Sequence, residues 1–168
     1  MSTETQEAME MATRPLAEHE WLTKLAGEWN TESEMTMPDG SKATSKGTES
    51  VRSLGGLWAF GHGKTQMPGG APMEYYTALG YDVSFKEYRG CWLASVSSHL
   101  WKQTGKLSAD GRVMTLDCVG PHMEKDGETA NYRDVIEIVD ANHRTLTSFG
   151  QEANGEWQQF MKVVYTRV

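Results

Sequence analysis

The residues of this chain best suited to chemistry are its five histidines, its two cysteines and a few carboxylates set in strand-like runs. A metal or haem site needs ligands brought together, usually as a chelating pair alternating on one strand or sitting a turn apart on a helix. His19, His62, His99, His122 and His143 form no such pair, and neither Cys91 nor Cys118 stands at ligand spacing from any of them. The expectation is no metal and no cofactor. His19 falls in a helical run and is expected in solvent, while His122 follows Gly120-Pro121 and His143 follows Asn142 in turns. Only His62 and His99 lie within strand-like runs, and they would be the first ligands to test were a metal found.

The stretch Ser95-Val96-Ser97-Ser98-His99-Leu100-Trp101 places hydroxyls close to an imidazole. Nucleophilic catalysis would also need an acid to orient the histidine and an oxyanion hole, and the chain has no Gly-x-Ser-x-Gly elbow between a strand and a helix. Hydrolase chemistry is not expected. His99 is left as a hydrogen-bonding or pH-responsive group, because an imidazole titrates near neutrality. Tyr132-Arg133-Asp134 opens a strongly β-forming run, so Arg133 and Asp134 face opposite ways and one of them points inward. A buried charge is costly unless paired. Glu49 and Arg52, on an earlier strand, are the candidate partners at the barrel mouth. Nucleotide binding has no support, because no Gly-rich turn is followed by a helix whose N-terminus could receive phosphate.

Composition narrows the field further. A hydrophobic fraction of 38% with 23% charged residues is globular, and 168 residues can bury roughly 70% of their unfolded surface in a single core. No apolar run is long enough for a membrane span. A net charge of -7 with scattered Lys and Arg argues against a nucleic-acid partner, whose phosphates need clustered cations. Cys91 and Cys118 sit in strand-like runs and fit buried thiols in a reducing compartment. Residues 1–13 are polar and acidic with no apolar core of a secretory signal. They are expected as a disordered or loosely docked tail, residues 14–168 as one domain, and the location as cytoplasmic.

These residues need elements to position them, and the elements are legible in the hydrophobic period. From Pro15, the run with Leu16, Trp21, Leu22 and Leu25 ending at Gly27 predicts a short amphipathic helix. After it the period changes to two, and turn residues such as Pro38-Asp39-Gly40, Gly55-Gly56, Pro68-Gly69-Gly70, Asp110-Gly111 and Asn154-Gly155 cut the chain into pieces of strand length. Strands are expected near 28–37, 42–53, 57–67, 73–81, 87–97, 99–107, 112–119, 129–139, 144–151 and 157–167. The fold class is all-β: a single antiparallel up-and-down barrel of about ten strands with a short N-terminal helix. Closure is preferred because an open meander leaves two exposed edges.

Gly27-Glu28-Trp29 opens the first strand directly after the helix, and Val163-Val164-Tyr165-Thr166-Arg167 ends the last. The arrangement resembles the lipocalin-like superfamily, which implies that Arg167 stacks on Trp29 to close the barrel end. A closer resemblance runs from Leu16 to Arg167. Glu49 to Arg52 followed by Leu54-Gly55-Gly56-Leu57-Trp58, then Met67-Pro68-Gly69-Gly70, Leu79-Gly80-Tyr81-Asp82, His99-Leu100-Trp101, Tyr132-Arg133-Asp134 and Gln159-Phe160-Met161 are similar in order and spacing to a bacterial lipocalin-like domain family of unknown function. That resemblance implies the fold and carries no catalytic residue. Members usually have Pro after the Tyr-Asp pair, where this chain has Val83, which bears on the turn type alone.

With Arg167 inward, Met161, Val163 and Tyr165 share its face, while Phe160, Lys162, Val164 and Thr166 face out. The apolar spacing of the third strand puts Trp58, Phe60 and His62 together on one face, expected as the interior. The expected ligand-binding wall is Trp58, Phe60, Met161 and Tyr165, with His62 beside them and His99, Glu49 and Arg133 as polar groups at the open end. Barrels of this size hold side chains or one small ligand. The expected function is therefore binding of a small hydrophobic or amphipathic molecule, with no catalytic residue assigned. Two alternatives stand beside it: an enzyme using His99, Glu49 or Asp134 as acid or base, and a non-catalytic homodimeric scaffold.

Overall fold

The computed structural model describes residues 2–168. Ten strands follow one another as an antiparallel meander: β1 (Gly27–Thr36), β2 (Lys42–Leu54), β3 (Trp58–Gln66), β4 (Pro72–Asp82), β5 (Glu87–Ala94), β6 (Ser97–Leu107), β7 (Val113–Pro121), β8 (Thr129–Ile138), β9 (His143–Gln151) and β10 (Trp157–Arg167). β1 hydrogen-bonds to β10 as well as to β2, so the barrel is closed and no strand is left at an edge. Among the described residues, no helix is long and apolar enough to cross a membrane.

Ahead of the barrel the chain forms α1 (Thr3–Thr13), α2 (Ala17–Glu20) and a 3-10 turn (Trp21–Leu25). The stretch expected as a disordered or loosely docked tail, residues 1–13, is helical over Thr3–Thr13. Ser2 caps α1 by accepting from the Thr5 N–H at 3.3 Å, and the described side chains of α1 are exposed. The amphipathic segment after Pro15 lies across one end of the barrel. Trp21 Nε1 donates to the Gly111 carbonyl at 2.9 Å, Trp29 Nε1 to Leu25 at 2.9 Å, and the Tyr88 hydroxyl to Glu18 at 2.7 Å. Trp21, Leu22 and Leu25 are buried as expected, but Leu16 is exposed and His19 takes its place inside. His19 is not solvated, because both ring nitrogens find backbone partners: Nδ1 accepts from the Leu16 N–H and Nε2 donates to the Tyr81 carbonyl.

The core occupies this closed end, where the helical segment meets Trp29, Val51, Leu79, Tyr88, Met114, Val163 and Tyr165. Arg167 lies opposite Trp29 in the ladder, its guanidinium 4.2 Å from the indole, and it donates to the carbonyls of Ala26 and Ala141. Asp82 caps the reversal into β5 by accepting from the Ser84 and Phe85 amides. The other end, bounded by the β1–β2, β3–β4, β5–β6, β7–β8 and β9–β10 turns, has no such plug among the described residues.

Candidate functional site

Alternation decides which side chains enter the barrel, and at β3 it runs against the expectation from the sequence. Ala59, Gly61 and Gly63 face inward, while Trp58, Phe60 and His62 face out; Trp58 is 41% exposed and Phe60 37%. The physical reason is the neighbouring strand. Tyr75 on β4 lies opposite Gly63, and a Cβ at Gly63 would fall well inside contact distance of the Tyr75 ring. At Gly61 a Cβ would meet Thr77. The missing side chains of β3 make room for the large ones of β4. Outside, His62 pairs with Glu74 and stacks on Tyr76, with ring centroids 4.5 Å apart.

The space left inside is a cavity of about 450 Å³. Its upper wall is apolar and rich in methionine, with Met35, Met67, Met73, Met123 and Met161 joined by Trp92, Trp101 and Phe160. Phe160 was expected outside. A register shift between Gln159 and Met161 turns it inward, edge-on to Tyr132 at 6.1 Å. Met161 and Tyr165 line the cavity.

Below this wall are two polar groups of side chains. Glu49 and Arg144 form an ion pair in which each side chain is about 95% removed from solvent, with only 4% and 5% exposed. The Tyr75 hydroxyl donates to the second Glu49 oxygen at 2.6 Å. The Arg144 guanidinium lies 3.7 Å from the Tyr165 ring and 4.8 Å from Trp29, and its Nε has no hydrogen-bond partner among the described residues. Burial, with the neighbouring Tyr165 and Glu49, pushes the Tyr75 phenol well above the ordinary tyrosine range. The second group is centred on Asp134, which accepts from Ser148 Oγ at 2.5 Å and from Gln103 Nε2 at 2.7 Å. Burial raises its carboxyl above the usual carboxylate range, and the two hydrogen bonds oppose that shift. Beside it, burial and the charges of Asp134 and Asp117 push the Cys118 thiol up to about 12, so it stays protonated. Both cysteines are free.

A family model described as a protein of unknown function, DUF1579, matches residues 14–167. The chain belongs to that family. No curated protein matches it in sequence. Among solved structures, Rv2717c from M. tuberculosis aligns with a TM-score of 0.64 at 13% identity over 92% of this chain and 99% of that one. The S-type phycobiliprotein lyase CPES from Guillardia theta aligns at 0.57 and 12% identity, covering 95% and 96%. At these identities the likeness concerns the barrel fold, which is lipocalin-like.

The remaining expected site residues lie elsewhere. Arg133 faces out, where it pairs with Asp117 at 2.6 Å over the Trp157 ring, so Asp134 is the inward member of that dipeptide. Arg52 is exposed and Glu49 pairs with neither of them. His99 stands beside a more open hollow of about 600 Å³, which shares Cys118 and Tyr132 with the interior cavity. Pairing of β6 with β7 is confined to Thr104–Leu107, so the strands part above it, and His99 Nε2 reaches across to the Val119 carbonyl at 3.1 Å. Arg144, Gln103, Ser148 and Tyr75 were missed. A usable signal existed for Asp134: Glu137 is best placed outside, which by alternation leaves Ile136 and Asp134 inside.

Proposed function

We propose that the barrel is a binding protein that holds one small amphipathic molecule. Its apolar body lies among the methionines and aromatic rings of the open end, and its polar end reaches the Asp134, Gln103 and Ser148 group. The observation carrying this reading is the cavity itself, about 450 Å³ with an apolar wall and a hydrogen-bonded carboxylate inside it. Pockets of this size and make-up bind through apolar burial, about 25 cal/mol per Å², while a few polar groups set orientation. Two observations weigh against the acid–base alternative. Glu49 is held by Arg144 and Tyr75, and His99 stands at the more open hollow.

Nile red tests the reading. It is expected to bind the protein with enhanced emission, and bulky apolar ligands to quench tryptophan fluorescence through Trp92 and Trp101. Met161→Trp is expected to fill the space and weaken Nile red by about tenfold while the fold is kept. Absence of Nile red binding at micromolar protein, or an affinity unchanged by Met161→Trp, would favour a packed scaffold.

A further inference from the structure

The charges that line the cavity do not balance. Among the described residues, Glu49, Asp134 and Arg144 are its only lining residues of the types Asp, Glu, Lys and Arg. Arg144 is paired with Glu49 through one Nη, its Nε having no partner among the described residues, and the Tyr75 hydroxyl satisfies the other Glu49 oxygen. Asp134 meets only neutral donors, the Ser148 hydroxyl and the Gln103 amide. The inward groups nearest it on the neighbouring strands are Leu116 and Cys118 on β7, Gln103 on β6 and Ser148 on β9, none of them cationic, and Arg144, farther along β9, is paired with Glu49. Outside the wall, Lys42 and Lys46 are paired with Glu34 and Glu32, and Arg133 with Asp117. Ionised, this carboxyl would have two hydrogen bonds and no counter-ion inside a low-dielectric space, so burial favours its neutral form until a cation is brought to it. Its exposure is inward, because β8 turns Tyr132, Asp134 and Ile136 to the interior.

We infer that the ligand of this cavity carries a cationic nitrogen that pairs with Asp134, so that the barrel selects amphipathic amines over fatty acids and uncharged lipids. The inference rests on the reading of the barrel as a binding protein and adds the chemical class of the ligand. A cationic nitrogen brought to Asp134 stabilises its ionised form and makes a charge-assisted bond, whereas a fatty carboxylate would meet Asp134, Glu49 and an arginine already paired with Glu49. The methionine-rich mouth adapts its shape to an alkyl or ring body and adds no charge preference of its own.

Competition against Nile red at neutral pH separates this assignment from the binding reading. Dodecylamine, dodecanol and dodecanoate share one apolar body and differ in head-group charge. Dodecylamine is expected to displace the dye at concentrations about tenfold below dodecanol, with dodecanoate the weakest. Asp134→Asn is expected to bring the amine and the alcohol to within about twofold of each other while dodecanol affinity is kept. Asp134→Ser removes the charge a second way, should the first variant fold poorly. Asp117→Asn, on the outer face of the same sheet, is the control for general attraction to an acidic protein and is expected to keep the amine preference. Dodecanol equal to dodecylamine in the wild type, or an amine preference surviving in the folded Asp134 variants, overturns the charge assignment and leaves a binding barrel. Failure of Nile red itself to bind overturns both.

Discussion

Glu49 and Arg144 come from strands far apart in sequence and meet in the barrel interior, each with almost no exposure. A buried pair of this kind contributes little relative to a well-packed apolar pair, but removing one partner strands the other. Arg144→Met is expected to cost about 3–5 kcal/mol, read as a lower urea midpoint. A Glu49→Gln/Arg144→Met double variant should recover a large part of that loss, because no charge is then left unpaired. Asp134 makes the opposite use of burial. Its folded-state carboxyl titrates above its unfolded value, so between the two the native state holds the extra proton. Its contribution to stability is therefore present at low pH and is lost as pH rises through the raised value. Asp134→Asn is expected to flatten that fall in melting temperature on the alkaline side of the carboxylate range. A slope unchanged by the substitution would mean that the proton is held elsewhere.

Among the elements, β3 shows how one strand yields to its neighbours. Its inward residues Ala59, Gly61 and Gly63 are small, and Tyr75 occupies the space over Gly63 while reaching Glu49. Gly63→Ala puts a methyl where the phenol lies, so Tyr75 has to swing away from Glu49. The expected cost is about 1–3 kcal/mol, seen as a lower melting temperature together with an altered tyrosine environment in near-ultraviolet circular dichroism. The strand boundaries were legible in turn residues and alternation, which place all ten strands close to where they lie. The face of β3 was not read correctly. Lys64 shares parity with Trp58, Phe60 and His62 and marks the outer side, but the weight of three aromatic rings favoured the opposite assignment. On β10 the alternation held for Met161, Val163 and Tyr165, and the bulge before Met161 altered it for Phe160. A bulge has no reliable signature in a single strand, since it arises from the pairing of two.

At the scale of the whole barrel, closure joins the chain's two ends. Arg167 stacks on Trp29 and binds carbonyls of the helical segment and of the β8–β9 turn at once. Arg167→Ala is expected to lower stability by about 2 kcal/mol, the order of a desolvated cation-π contact. Nile red affinity should stay unchanged, because the cavity opens at the other end. A large loss of dye binding in a folded Arg167→Ala protein would mean that the closed end controls the cavity.

The sequence by itself determined the all-β class, the number and order of strands and the short N-terminal helical segment, while the closing pair was implied by the resemblance to the lipocalin-like superfamily. The class, the strands and the helical segment depend on local information, namely the hydrophobic period along each element and the turn residues between strands. What only the tertiary structure decided is the interior polar arrangement. Glu49 was legible as a candidate, but Arg144 follows a turn at the start of β9, where the alternation of Arg144, Leu146 and Ser148 against Thr145, Thr147 and Phe149 favours neither face. The partner of a buried charge depends on which strands face each other across the barrel, and that is set by closure and stagger rather than by any one strand. The same holds for Asp134, whose hydrogen bonds come from β6 and β9 and whose lack of a cation appears only once every inward residue is in place.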